Sequence, residues 1–234
     1  MSVKTVTRPE ARWTRRKDDR PAELLSAALS LFVEKGYTAT RLDDIARQAG
    51  VSKGTLYLYY ASKEDLFKAV VRTGLVPTLE RGERLVEEHT GAMADLLEQV
   101  LFGWWGAVGD NPLGGISKLM FSESQNFPDL ARFYHAEVIS RGHRLVQRIL
   151  ERGIANGEFV AIDPELGTRL VLAPLVHLLL WRHSFDVCDV HRLDPGRYLR
   201  QHLEMILNGL RPRVTKTKPA KPAGRVRHRE AKVS

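Results

Sequence analysis

The run Arg41-Leu-Asp-Asp-Ile-Ala-Arg-Gln-Ala-Gly-Val-Ser-Lys-Gly-Thr-Leu-Tyr-Leu-Tyr-Tyr60 leaves this chain few ways to fold. Leu42, Ile45, Ala46 and Ala49 recur at i, i+3, i+4 and i+7, the spacing that lines one face of an α-helix. Gly50 permits a sharp turn, and the Ser52 hydroxyl is placed to cap a second helix. That helix carries Lys53, Thr55, Tyr57 and Tyr59, side chains suited to phosphates and base edges, while Leu56 and Tyr60 turn inward. The pattern predicts a helix-turn-helix. Thr40 with Asp43, and Ser62 with Asp65, fit the S/T-x-x-acid capping box, so a helix is expected to start at each. Upstream, Leu24, Leu25, Ala28, Leu31 and Phe32 form an apolar stripe ending in Glu34-Lys35-Gly36-Tyr37, which predicts three helices around one small core and a longer fourth helix leaving it.

Beyond this unit the chain alternates helical patterns with stop signals. The fourth helix runs through Leu66, Phe67, Val70 and Val71 and is expected to end near Pro77. Leu96, Leu97, Val100, Leu101, Trp104 and Trp105 share a helix; Asn111 to Gly115 reads as a loop, followed by a short segment over 116–125. Pro128 opens a long helix reaching Gly157, and Asp163-Pro164 and Asp194-Pro195 start helices over 164–183 and 195–207. No strand pattern appears, so the expected fold class is all-α: an N-terminal three-helix helix-turn-helix domain over 20–66, then a helical ligand-binding and dimerisation domain over 67–210.

Charge and cysteine usage narrow the setting. Of the formal net charge of +8, residues 211–234 hold nine Lys/Arg against one Glu and residues 1–20 hold seven against three acidic residues, so the body between is mildly acidic. A basic arm over 1–19 is expected, with Arg15, Arg16 and Lys17 just ahead of the first helix and close to a duplex, and a basic disordered tail over 211–234, solvated or in nonspecific nucleic-acid contact. Cys188 is the sole cysteine, which excludes an intrachain disulfide and fits a reducing cytoplasm. The longest apolar run, Leu170 to Trp181, is broken by His177 and too short for a bilayer, so a soluble cytoplasmic protein without a membrane partner is expected.

Catalytic signals are weak. His177, His183 and His191 with Asp186, Asp189 and Asp194 lack the one-turn spacing of a strong metal motif, and no G-x-S-x-G elbow or phosphate-cradling glycine loop occurs. Neither an enzyme, a metal nor a cofactor is expected. Trp104, Trp105, Met120, Phe121, Phe127, Phe133, Tyr134, His177 and Trp181 have instead the composition of an apolar small-molecule pocket, although each also suits ordinary core. Pro174, inside a helical run, is expected to kink it and open space. Leu166, Leu170, Val171, Leu175, Leu178 and Leu179, with Tyr198, Leu199, Leu203, Ile206 and Leu207, exceed one core-facing stripe, which predicts a homodimer through the last two helices.

From Arg20 to Val71 the chain resembles the N-terminal domain of the TetR/AcrR family of transcriptional regulators, in Leu31-Phe32, Gly36-Tyr37, Thr40, Ile45-Ala46, Ala49-Gly-Val-Ser-Lys-Gly-Thr-Leu-Tyr57, Tyr59 and Ser62-Lys-Glu64. The resemblance implies an all-helical homodimer, DNA read by the third helix, a C-terminal domain that binds a small inducer, and repression relieved on binding. It places DNA contacts on Thr40, Arg41, Lys53, Gly54, Thr55, Tyr57, Leu58, Tyr59 and Lys63. By residue type, Lys53 and Lys63 are expected to neutralise phosphates and Thr40 and Tyr57 to donate hydroxyl hydrogen bonds to them. Thr55, Leu58 and Tyr59 are then the expected base readers. Leu58 departs from the polar or aromatic residue many members carry, so reading there would be apolar, through a thymine methyl. The expected partners are palindromic double-stranded operator DNA, an apolar or amphipathic inducer and a second copy of the chain; the alternative is an architectural DNA-binding dimer that senses nothing.

Overall fold

Helix follows helix through the described residues, which are 10–188 and 193–212 of a computed structural model, with side chains described from Arg20 onward; no strand occurs among them. The order is α1 (Glu10–Ala39), α2 (Leu42–Gln48), α3 (Lys53–Tyr59), α4 (Lys63–Gly74), α5 (Val76–Glu88), α6 (Met93–Trp104), a first π-turn (Trp105–Gly109), α7 (Pro112–Glu123), α8 (Pro128–Tyr134), a second π-turn (His135–Ile139), α9 (Ser140–Ala155), α10 (Pro164–Arg182) and α11 (Pro195–Leu210). The basic tail from residue 213, the first nine residues of the arm, and Asp189 and His191 lie outside the described residues.

Several expected boundaries move, each for a local reason. Helix α1 reaches back to Glu10, so Arg15, Arg16 and Lys17 lie within the first helix rather than ahead of it; the segment holds strong helix formers and no breaker before Pro21. Pro77 does not end the fourth helix. That helix stops at Gly74, and Pro77 sits in the first turn of α5, where its missing N–H costs nothing. Helix α5 escapes the periodic signal because charged residues fill it and only Leu79 and Val86 are buried. The Asn111–Gly115 loop is in fact the start of α7, with the Asn111 side chain accepting from the Leu113 N–H and Pro112 in the first turn. Its glycines are there for close approach: a Cβ on Gly115 would lie 2.6 Å from Val33 of α1, and one on Gly114 2.3 Å from His183. The long helix from Pro128 is interrupted by the second π-turn, and α10 runs unbroken through Pro174. Asp163 and Asp194 cap α10 and α11 as their sequence pattern requires.

Two cores form. The first joins Leu24, Ala28, Leu31 and Phe32 of α1 to Ile45, Leu56, Leu66, Phe67, Val70 and Val71, and continues into Ile116, Leu119 and Met120 of α7 and Leu130 and Tyr134 of α8. The boundary expected between residues 66 and 67 therefore falls inside α4 and inside one continuous core. The second core packs α5, α6, α9, α10 and α11 through Leu79, Leu97, Leu101, Ile149, Leu178 and Leu203. Trp104 and Val138 touch both. Glu158 accepts the otherwise unpartnered Met93 and Ala94 N–H groups at the start of α6, at 2.7 and 2.8 Å, replacing a local cap with one from a distant loop.

Candidate nucleic-acid interface and the adjoining cavity

The end of α1 sets the position of everything that follows it. Gly36 takes φ +82°, turning the chain out of the helix. The carbonyls this frees are met by side chains: the Thr40 hydroxyl donates to Leu31 and Gly36 oxygens (3.0 and 2.6 Å), and Lys63 Nζ donates to Tyr37, Thr38 and Thr40 oxygens (2.8, 3.3 and 3.1 Å). The Lys63 ammonium also lies over the Tyr37 ring at 4.5 Å, and burial holds its pKa below the usual lysine value against the opposing pull of Glu123. Burial, then Glu64 and Asp65, pushes the Tyr37 phenol up to about 12.

Two side chains expected to face DNA, Thr40 and Lys63, are engaged within the protein in this structure. Thr40 is buried and its hydroxyl proton is committed to backbone carbonyls, so it neither caps α2, whose N-cap is Arg41, nor reaches a phosphate with that proton. Lys63 spends its donors inside the protein. The Ser62–Asp65 box does form, with the Asp65 N–H donating to Ser62 Oγ at 3.0 Å and that hydroxyl donating to the Asp65 carboxylate at 2.8 Å.

Helix α3 follows from the turn at Gly50 (φ +67°), where the Val51 N–H bonds the Ala46 carbonyl at 2.9 Å and Ser52 caps the Thr55 N–H at 3.1 Å. Leu56 is its buried anchor. Lys53, Gly54, Tyr57 and Leu58 turn outward, with Arg41 exposed nearby at the start of α2. Leu58 is 84% exposed and Tyr57 45%, values no core role explains for an apolar and an aromatic residue on a short helix. Tyr59 instead packs against the first core, and Thr55 is half-buried with its hydroxyl 2.9 Å from Ser52 Oγ. Lys53 Nζ lies 2.8 Å from the Asp43 carboxylate, which raises the lysine pKa and lowers that of the aspartate, chiefly through this hydrogen bond. Any anion approaching this cation has to compete with Asp43. Exposed Arg47, paired to Asp44 at 2.7 Å, lies on the adjoining helix and was not singled out by sequence because its periodicity marks only a solvated face.

A cavity of about 170 Å³ lies at the seam of the two cores, walled by Leu79, Val100, Leu101, Trp104, Ser117, Phe121, Tyr134, Val138, Ile139, Gly142, His143, Leu145, Val146, Leu172, Leu175, Val176 and Leu179. Phe121, Tyr134 and Ile139 also border an outer cleft of about 420 Å³ reaching Met120, Ser124, Ala131, Arg132 and His135. Of the aromatic set expected to form a pocket, Trp104, Phe121 and Tyr134 line the inner chamber and Met120 the cleft. Trp105 is packed in the second core with its ring against Gly109, where a Cβ would lie 2.4 Å away. Phe133 faces α4, with the Lys68 ammonium and Arg72 guanidinium 5.6 and 5.0 Å from its ring centre. His177 and Trp181 form an outward row with Phe185 at 6.0 and 5.3 Å spacings, and Phe127 meets Tyr37 edge-on at 4.7 Å. Sequence composition marked aromatics, whereas most of the wall is aliphatic and indistinguishable from core by periodicity alone. Within the wall, Tyr134 and Ser117 share a hydrogen bond of 2.7 Å, and burial pushes the tyrosine up to about 12.

A three-helix unit with an outward α3, fused by its first and fourth helices to a helical body with an apolar chamber, matches known proteins along most of its length. A model of bacterial regulatory proteins of the tetR family matches residues 24–70, and one of the tetracyclin repressor-like C-terminal domain matches residues 80–193. The chain belongs to the TetR family. Its TetR-family relatives include the HTH-type transcriptional repressor KstR2 of Rhodococcus jostii, 28% identical over 207 residues spanning 88% of this chain and 98% of that protein. The fatty acid metabolism regulator protein of Bacillus subtilis is 27% identical over 163 residues, 68% of this chain and 82% of its own. In fold, the chain resembles the transcriptional regulator FadR from B. subtilis in complex with stearoyl-CoA, with a TM-score of 0.68, 23% identity, and coverage of 80% and 98% of the two chains. TetR-family members are DNA-binding transcriptional regulators, and no helix among the described residues is long and apolar enough to cross a membrane.

Because Lys63 closes the end of α1 while Lys53 stands on the surface, the two lysines should respond differently to truncation. Lys63→Met is expected to lower stability by about 2 kcal/mol, or roughly 4–8 °C in Tm for a chain of this size. Lys53→Ala should leave Tm nearly unchanged. Thermal unfolding followed by circular dichroism checks this, and equal sensitivity of the two positions would contradict the assignment of Lys63 as a structural clip.

Proposed function

We propose that the protein is a ligand-responsive repressor that binds a palindromic operator as a homodimer and is released when an apolar or amphipathic inducer fills the chamber. Arg41, Lys53, Gly54, Tyr57 and Leu58 form its DNA-facing set, with Lys53 and Tyr57 on phosphates, Gly54 allowing close approach and Leu58 against a thymine methyl. Thr55 and Tyr59 support this surface from behind. Trp104, Phe121, Tyr134 and Met120 belong to the effector site. The relative solved with stearoyl-CoA supports an effector with a large apolar body.

One observation carries the proposal: a single helical segment has the chamber on one side and α4 on the other. Tyr134, Val138 and Ile139 line the chamber, while Phe133 and Glu137, four residues apart on the opposite face, meet Lys68 and Arg72 of α4. The Arg72 guanidinium lies 3.5 Å from the Glu137 carboxylate. Filling the chamber displaces this segment toward α4, whose first turn holds Lys63 and therefore the turn that seats α2 and α3. Moving a population from 99% to 1% binding-competent takes about 5.5 kcal/mol of differential affinity, so ligand binding and DNA release must be reciprocal.

Dimerisation rests on the outer face of α10 and α11. Val171, Leu175, Leu178, Leu179, Leu199 and Leu203, expected at the interface, are buried within the monomer because α10 and α11 pack on α6, α9 and each other. Leu166, Leu170, Trp181, Phe185 and Met205 remain exposed and supply the apolar surface instead.

Two measurements follow. Operator affinity titrated with stearoyl-CoA and with a steroid ketone should fall on ligand binding in the wild type, while Arg72→Ala retains ligand affinity but loses most of that fall. Unchanged coupling in Arg72→Ala would remove α4 from the route, and ligand binding without operator release would favour the architectural reading. Leu170→Glu, at a residue 67% exposed in the monomer, should give a folded monomer with weak operator binding; a dimer persisting at micromolar concentration by light scattering would rule out this surface.

A further inference from the structure

The chamber wall is apolar with few exceptions, and those exceptions define what it selects. None of its lining residues is Asp, Glu, Lys or Arg. Ser117 and Tyr134 hydroxyls satisfy one another at 2.7 Å. His143 of α9 is half-buried in the same wall and makes no hydrogen bond to any described residue. Burial, with Arg169 and His135 acting in the same direction and Glu165 opposing, holds its pKa below the ordinary histidine value. At neutral pH the ring is thus an uncharged imidazole, with one nitrogen to donate and one to accept.

We propose, on the reading that this chamber holds the effector, that His143 is its specificity-determining residue and that the effector buries an uncharged hydrogen-bonding group, a carbonyl or hydroxyl on an apolar frame, against that imidazole. The ring nitrogens, unpaired among the described residues and still within reach of water, are open to a ligand carbonyl or hydroxyl that takes the place of that water. A carboxylate in the same place meets no lysine or arginine in the wall, and Arg169, which acts on His143 from outside it, is already paired with Glu165 at 3.1 Å, so the lost hydration is poorly compensated. Arg132 and His135 line the outer cleft and offer an acidic group on a ligand a cationic side chain that the inner wall lacks.

The matched probes 2-decanone, 1-decanol, decane and decanoate separate these outcomes, with affinity read from tryptophan fluorescence and operator release measured alongside. Wild type is expected to bind the ketone and alcohol more tightly than decanoate. His143→Leu should weaken both by about three- to tenfold, the range of one neutral hydrogen bond, and leave decane unchanged. His143→Gln, which keeps a donor and an acceptor, should recover most of the difference, and Tyr134→Phe should preserve the wild-type ranking. An equal loss for decane in His143→Leu would reduce His143 to a filler of space. Decanoate binding as tightly as the ketone, or a ranking abolished by Tyr134→Phe, would also overturn the assignment. If no probe binds or releases operator, the effector reading of the chamber falls with it; if probes bind and release operator but ignore His143, only the present inference falls.

Discussion

The carbonyl groups freed at the end of α1 must be satisfied, and the way they are satisfied places α3, the second helix of the helix-turn-helix. Gly36 leaves the helix through positive φ, and the resulting open acceptors are met by the Thr40 hydroxyl and the Lys63 ammonium. One side chain thereby ties the end of α1, the entry to α2 and the start of α4 together. Since α3 is only seven residues and is anchored by Leu56 alone among its buried residues, its orientation derives from this clip and from the α2 surface rather than from its own packing. Phe32, Tyr37, Phe67 and Phe127 stack or meet edge-on around the same point, at centroid distances from 4.7 to 5.6 Å, extending the clip into the first core.

That core does not end with the helix-turn-helix. It runs into α7 and α8, whose Ser117, Phe121 and Tyr134 wall the chamber, so the helix-turn-helix and the chamber share one packed body. Packed interiors transmit displacement because they contain few voids to absorb it. The void that does exist lies at the seam bridged by Trp104 and Val138, beside the second π-turn, a geometry that recurs at functional sites because it departs from the ordinary helical ladder.

Much of this was legible in sequence. The spacing of Leu42, Ile45 and Ala46, the turn at Gly50 and the caps at Ser52, Ser62, Asp163 and Asp194 all signal locally, and local signals survive folding. The intramolecular bonds of Thr40 and Lys63 are not legible in sequence, because a hydroxyl or an ammonium looks the same whether it meets a phosphate or a carbonyl 23 residues away; only the fold places those carbonyls. Helix α5 was hidden by its charges, and α7's first turn by two glycines needed for contact with α1 and His183. The chamber was half legible. Trp104, Phe121 and Tyr134 were identified by composition, but His143, Val138 and Gly142 carry no pattern apart from that of an amphipathic helix, and Trp105 and Phe133 differ from their neighbours only in the direction they face.

The claim on which the rest depends is that chamber occupancy and operator affinity are linked through the packing between them. It can be tested without knowing any ligand, because Gly142 opens on the chamber and a Cβ there would stand at ordinary contact distance, 3.9 Å, from Leu79. The operator dissociation constant of Gly142→Met, whose side chain fills the space from within, should rise about tenfold or more, corresponding to about 1.4 kcal/mol of bias toward the released state. A folded Gly142→Met protein with wild-type operator affinity would contradict the coupling directly.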